Sequence, residues 1–449
     1  MINRNIISFF ILLTLLFLVF KVNALLVFFI ILFIFIFLIY KNISIDWLIL
    51  LMPFYIFPFM LIFKLNHTDN LLLNFLPDFS ILLSLSYIFK KNKIPSFYKN
   101  IIITMIFFIL TTICITFLHI QETLFILGII RQYAIPIIFL IIFITVSLKN
   151  NYLPIYALKI SIVVYTLISI IALMNYFFLN NFESPSVGWR SSFLCLGEYS
   201  KTMLMCNEGG KIRRLHSLIS GSLGSSSAVL VMLGIVSIRI SRESHSLLKY
   251  CSIPLFLTAF LSFSVSIVIP IIYFIFVLIL NNKKILKIYF LPFIIVTFLF
   301  LSQVSLFNQS SIINYFNSSI FNAIKIHLSS MRPMEILFGS GPIINSSIFK
   351  YFPDRFIVDI GIFRMFNDTG IFNFILFLYI VFYFIKKALL INSKIKSNFN
   401  EILLFMLFVL ISLVHSNIIV TPPFYLLFII TCSGILSQHY QILKKNEKI

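Results

Sequence analysis

Acidic residues are scarce in this chain: 14 Asp and Glu stand among 449 residues, against 34 Lys and Arg, and charged residues make up 11% in all. A soluble domain carries about a quarter, so a water-facing surface along the whole chain is excluded. The Walker loop and the Rossmann glycine fingerprint are both missing, which argues against nucleotide-driven chemistry. Cysteine is thin at five residues. No Cys/His spacing suggests a metal site, so neither a metal nor a cofactor is expected. Cys114, Cys251 and Cys432 lie in apolar runs and read as packing residues. Cys195 and Cys206 share one long polar stretch. An oxidising outer compartment would permit a disulfide between them, and spacing alone leaves that pairing open.

What fills the chain instead is apolar. It is 60% hydrophobic and 17% aromatic, with a mean hydropathy of +1.07. A membrane-spanning helix needs roughly 20 apolar residues. About fourteen such runs (12 to 14) follow one another, near 6–20, 24–40, 45–63, 71–89, 101–119, 123–147, 155–179, 217–238, 248–265, 267–281, 288–303, 370–387, 400–417 and 421–438. They do not alternate with period two, which excludes a β-barrel. The expected fold is an all-α polytopic integral membrane protein, one membrane domain over residues 1–449. Arg4, an apolar run and Val22-Asn23-Ala24 loosely fit a cleaved signal peptide. Another apolar run begins at Leu25, so an uncleaved first helix is expected.

The net charge of +20 invites a nucleic-acid reading. Its distribution argues against one. With the N-terminus inside, the basic clusters at 90–99, 239–249, 281–287, 386–396 and 442–449 all fall on one side. The short outer loops then carry only Lys21 and Lys64. This is the positive-inside pattern, which places both termini in the cytoplasm. Membrane lipid is the partner that the charge serves.

Two loops are long, at 180–216 and 304–369, and the topology puts both outside. They hold most of the charges that orientation leaves unexplained: Arg190, Arg213, Arg214, Arg332, Arg355 and Arg364, with the candidate bases Asp354, Asp359 and Asp368. Lysine dominates the inner clusters, whereas arginine is concentrated here. Its planar fork suits phosphate or carboxylate bidentately, so an anionic ligand is expected outside.

Ionisable residues within apolar runs are costly and by default functional candidates. Arg131 is the clearest, roughly 12 Å below the outer surface at 1.5 Å per residue. It binds a ligand, pairs with an acid such as Asp78, or does both; Pro136 follows within two turns and would open the helix. His119 and His415 sit near span ends and read as satisfied polar residues. In RRLHSLISGSLG (213–224), Arg213, Arg214 and His216 precede the entry of a span bearing Gly221, Gly224 and Ser225 to Ser227. Small residues let helices approach closely. A helix N-terminus beside two arginines would also cradle an anion at membrane level, the height of a diphosphate attached to a lipid.

Together these residues resemble the Wzy-type O-antigen and capsule repeat-unit polymerases, relatives of the O-antigen ligases. The architecture is similar over the whole chain, and four places are sharper. LGIIRQYAIPIIF (127–139) is similar to the family's arginine-bearing span. Arg213, ten residues and Gly224 match its loop signature. EILFGSGP (335–342) resembles an element of the last large loop, and FRMFNDTGIFNFILFLY (363–379) resembles the passage from that loop into the next span. Two departures stand out. Arg332 is followed by Gly339 and Gly341 rather than by a glycine at the signature spacing. The stretch 261–270 lacks the arginine that often follows the family's serine pair.

The resemblance implies a glycosyltransferase whose substrate is an oligosaccharide on undecaprenyl diphosphate, with a chain-length regulator as protein partner and no nucleic acid. Arg131, Arg213, Arg214, Gly224, Arg332 and Arg364 are then the diphosphate-binding candidates, and Asp354, Asp359 and Asp368 the catalytic ones. An O-antigen ligase would share scaffold and donor. A lipid-linked oligosaccharide flippase would favour short loops and a charge-lined cavity, which nearly charge-free spans do not supply.

Overall fold

The computed structural model describes residues 98–119, 130–178, 193–195, 213–215, 223–244, 247–261, 333–339, 361–394 and 422–446, with isolated positions at 50–51, 53–54, 81, 95 and 270. The described residues are helical except for one short ribbon. Helices are α1 (Lys99–His119), α2 (Ile135–Ser147), α3 (Leu153–Phe178), α4 (Leu223–Ser244), α5 (Ser252–Leu261), α6 (Pro333–Phe338), α7 (Gly361–Lys394) and α8 (Pro422–Asn446). A π-helical turn, Ile130–Ala134, leads into α2, and a 3-10 turn, Leu247–Cys251, leads into α5. The ribbon pairs β1 (Phe193–Cys195) with β2 (Arg213–Leu215), antiparallel. Among the described residues this two-stranded ribbon is the one departure from helix and turn.

Among the described residues three stretches are long and apolar enough to cross a membrane: Leu153–Ile170, Asp368–Ile391 and Phe424–Lys444. Three of the helices run past the apolar segments that nucleate them. α4 continues through Arg239 and Arg242, α7 through Lys386, Lys387 and Lys394, and α8 through Lys444 and Lys445. Backbone hydrogen bonding continues there, while long cationic side chains can carry their charge to the interface. At its other end α4 begins at Leu223, so Gly224 and Ser225 to Ser227 stand on its first turns, while Gly221 lies outside the described residues. The second long loop contains helix of its own: α6, and the first turns of α7.

The chain divides into two compact units. In the first, α3 from Tyr156, α4 from Leu233, and the 3-10 turn with α5 pack closely. Thr166 donates to the Cys251 carbonyl at 3.5 Å, and Thr258 to that of Ser169 at 3.3 Å. Gly234 makes the approach possible, because a β-carbon there would lie 2.8 Å from the Phe256 ring.

The second unit holds α1, the π-helical turn, α2, α6, α7 and α8. Its centre is α8, buried almost continuously from Phe424 to Ser437 and packed on α2. A helix apolar all round belongs in such a place. α1 and α7 are buried on one face only. On α7 Phe377, Ile380, Phe384, Ala388 and Ile391 face inward, while Ile375, Tyr379 and Phe382 are exposed. Cys114 of α1 is exposed, whereas Cys251 and Cys432 are buried. Hydroxyls within these helices bond back one turn, as Thr112 does to Phe108, Thr145 to Ile141 and Thr431 to Leu427. This satisfies a polar group where water is absent.

The second unit also fixes the sense of three helices. Tyr98, at the start of α1, donates to the Leu436 carbonyl at 3.4 Å and lies 2.9 Å from His439 Nδ1. His439 Nε2 lies 3.5 Å from Lys387 Nζ. Lysine offers no acceptor, so Nε2 accepts and Nδ1–H donates to Tyr98, whose own proton goes to Leu436. The lysine-bearing ends of α1, α7 and α8 therefore share one end of the unit. Burial, with Tyr383 and Tyr440 nearby, pushes the Tyr98 phenol well above its ordinary pKa.

Candidate functional site

At the opposite end from the lysines, α7 does not start straight. Gly370 interrupts it with φ 76° and ψ 175°, a conformation essentially confined to glycine. Into this kink fits the end of α6. Gly339 follows α6 with φ 80°, and its N–H closes on the Glu335 carbonyl at 2.7 Å. This is a left-handed glycine cap of the usual kind. The two glycines meet backbone to backbone. A β-carbon on Gly339 would lie 2.5 Å from the Asp368 carbonyl oxygen, and one on Gly370 would lie 2.5 Å from the Gly339 nitrogen. No side chain fits between them.

Polar side chains gather around the same kink, all in the second unit. Tyr133, buried on the π-helical turn, donates to Asp368 Oδ2 at 2.5 Å. Asp368 is 2% exposed. Thr369 bonds to the Met365 carbonyl at 2.8 Å. One turn further, Asn373 accepts from Thr111 at 2.5 Å and donates to Thr112 at 3.1 Å, which ties α7 to α1. A five-residue π-helical turn is rare and is frequently found at functional sites. Here it carries Arg131, two residues before Tyr133. Pro136 sits at the first positions of α2, directly after the wider π-helical turn.

Three of the four segments singled out in the sequence thus converge on Gly370: the arginine-bearing span through Tyr133, EILFG through Gly339, and NDTG itself. Of the predicted residues, Asp368 lies at the convergence and Arg131 on the turn bound to it. Arg364 stands on the first turns of α7, and Gly224 on the first turn of α4. Arg213 and Arg214 lie on β2 in the first unit, opposite Cys195 and Leu194. Asp354, Asp359, Arg332 and Cys206 lie outside the described residues, and with Cys206 the proposed disulfide. Among the described residues no group of three or more His, Cys, Asp or Glu gathers as a metal site would need.

Tyr133, Asn373 and the Thr111–Thr112 pair were not expected from the sequence. Asn373 could have been found, since a lone amide in an apolar run is as unusual as an arginine there. Tyr133 carried no such signal, because tyrosines are plentiful in this chain.

No family model, curated protein or solved structure matches this chain.

Proposed function

We propose that this protein polymerises lipid-linked oligosaccharide repeat units at the outer face of a bacterial inner membrane. The observation that carries this reading is the convergence at Gly370. Three segments that resemble repeat-unit polymerases are far apart in sequence, and they pack into one polar centre at one end of an apolar unit. The membrane orientation is supported by the opposite end, where the lysine-bearing ends of α1, α7 and α8 meet, as the positive-inside rule requires of a cytoplasmic face. Both termini are then inside, and the Gly370 end of the unit faces outside.

The reaction asks little covalent chemistry of the protein. The bond between the anomeric carbon and a diphosphate oxygen breaks. A bond forms from a hydroxyl of the acceptor repeat unit to that carbon, the hydroxyl proton leaves to a base, and undecaprenyl diphosphate departs with the negative charge. Positioning and charge stabilisation are what must be supplied. Arg131 is assigned to the departing diphosphate, with Arg213, Arg214, Gly224, Arg332 and Arg364 as further candidates. A carboxylate of the second long loop takes the proton. A chain-length regulator is the expected protein partner.

A gel profile of surface polysaccharide from a strain lacking the gene tests this. A collapse from a ladder to core plus a single repeat unit is expected, in that strain and in one complemented with Arg131→Ala or Arg213→Ala. A profile with no single-unit band would refute polymerisation in favour of ligation or export.

A further inference from the structure

Tyr133 has no part in the reaction as derived, yet it is fully buried and gives its hydroxyl proton to Asp368, 235 residues away. The two neighbourhoods explain why such a bond should be built. On one side is a π-helical turn, a backbone form that seldom persists unless its surroundings hold it. That turn carries Arg131. On the other side the backbone around Asp368 is fixed at several points. Gly339 lies against its carbonyl, Thr369 bonds back to Met365, and Asn373 is fastened to Thr111 and Thr112 one turn below. Asp368 is also a poor candidate for a base that must meet a sugar hydroxyl, since the side chain is 2% exposed and one oxygen already receives Tyr133.

We propose that Tyr133 and Asp368 are a positioning pair that holds the π-helical turn against the Gly370 kink, so that Arg131 is presented to the diphosphate of the lipid-linked donor. This rests on the polymerase reading given above. It adds that Asp368 acts through Tyr133 and Arg131 rather than on substrate. EILFG then works on the same arginine at one further remove, because Gly339 sets the backbone of Asp368.

The test uses the full chain, purified in detergent, with undecaprenyl diphosphate as probe and the thermal midpoint as readout, alongside the polysaccharide ladder of complemented cells. The wild-type midpoint should rise with the probe, and Arg131→Ala should abolish the rise. Tyr133→Phe and Asp368→Asn should each weaken apparent affinity about tenfold. The two substitutions together should cost no more than one alone, as expected for groups acting as a unit. In the Arg131→Ala background, Tyr133→Phe should add nothing. Asp368→Asn still offers an acceptor to Tyr133, so it should keep more of the ladder than Asp368→Ala. Should the Asp368 variants fail to fold, Tyr133→Phe, which removes one oxygen, still decides the matter. Wild-type affinity in Tyr133→Phe would overturn the pair alone. So would an Asp368→Asn protein that binds the probe normally but forms no ladder, since Asp368 would then be catalytic. A wild-type protein indifferent to the probe would overturn the diphosphate reading and the pair with it.

Discussion

Replacing Gly370 with alanine adds one carbon at the point where α6 meets α7. Two costs follow from the structure. At φ 76° and ψ 175° an L side chain is strained whatever the space around it, by about 1–3 kcal/mol. The added carbon would also lie 2.5 Å from the Gly339 nitrogen and overlap the Leu337 carbonyl. Both are backbone atoms and cannot rotate aside, so α6 must shift, at about 1–3 kcal/mol for overpacking of this kind. The usual gain of alanine over glycine in a helix does not apply, because Gly370 is not in a helical conformation. The sum is about 2–6 kcal/mol, a large part of the stability of a typical protein. Titration of the folded protein in mild detergent with SDS would measure it, with Ile375→Ala as the control, Ile375 being 56% exposed. The expected result is an unfolding midpoint far below that of the control, and loss of the polysaccharide ladder in cells. A Gly370→Ala protein within about 0.5 kcal/mol of wild type would refute the backbone clasp between the two glycines and with it the coupling of EILFG to α7.

Two other perturbations follow. Asn373→Leu removes one acceptor and one donor between α7 and α1 while Thr112 keeps its bond to Phe108. At about 0.6–1.7 kcal/mol for each hydrogen bond within a membrane, the loss should be about 1–3 kcal/mol in the same titration, and no loss would mean that the amide is idle. The phenol of Tyr98 is raised in the folded protein above its ordinary value of 10.0. Its contribution is therefore complete below about pH 10 and is lost as pH rises towards the folded value. Thermal midpoints should fall above about pH 10, and Tyr98→Phe should flatten that fall; an unchanged alkaline limb in the variant would assign it to other groups.

Much of the second unit was legible from composition. The run 421–438 announced a membrane span and became α8. Arg131 stood out by its charge alone, and the polarity of its turn followed from the same rule. Asp368 was visible as one of several loop carboxylates, but nothing in the sequence separated it from Asp354 or Asp359. Its helical setting and its bond to Tyr133 depend on residues more than two hundred positions away. The kink shows a similar division. That Gly370 fills the space left by Gly339 is a fact of backbone proximity, and spacing does not encode it.

By itself, then, the sequence determined that the described part of this chain is built of apolar helices, because burial in lipid and backbone hydrogen bonding depend on local composition. Only the tertiary structure decided which face of each helix is inside. Ile101, Met105 and Phe108 of α1 are buried while Ile103, Ile106 and Phe107 are not, and the two sets are chemically alike. In water a helix declares its inner face by the polarity of the outer one. In lipid both faces are apolar, periodicity falls silent, and the choice passes to small residues, kinks and a few hydrogen bonds.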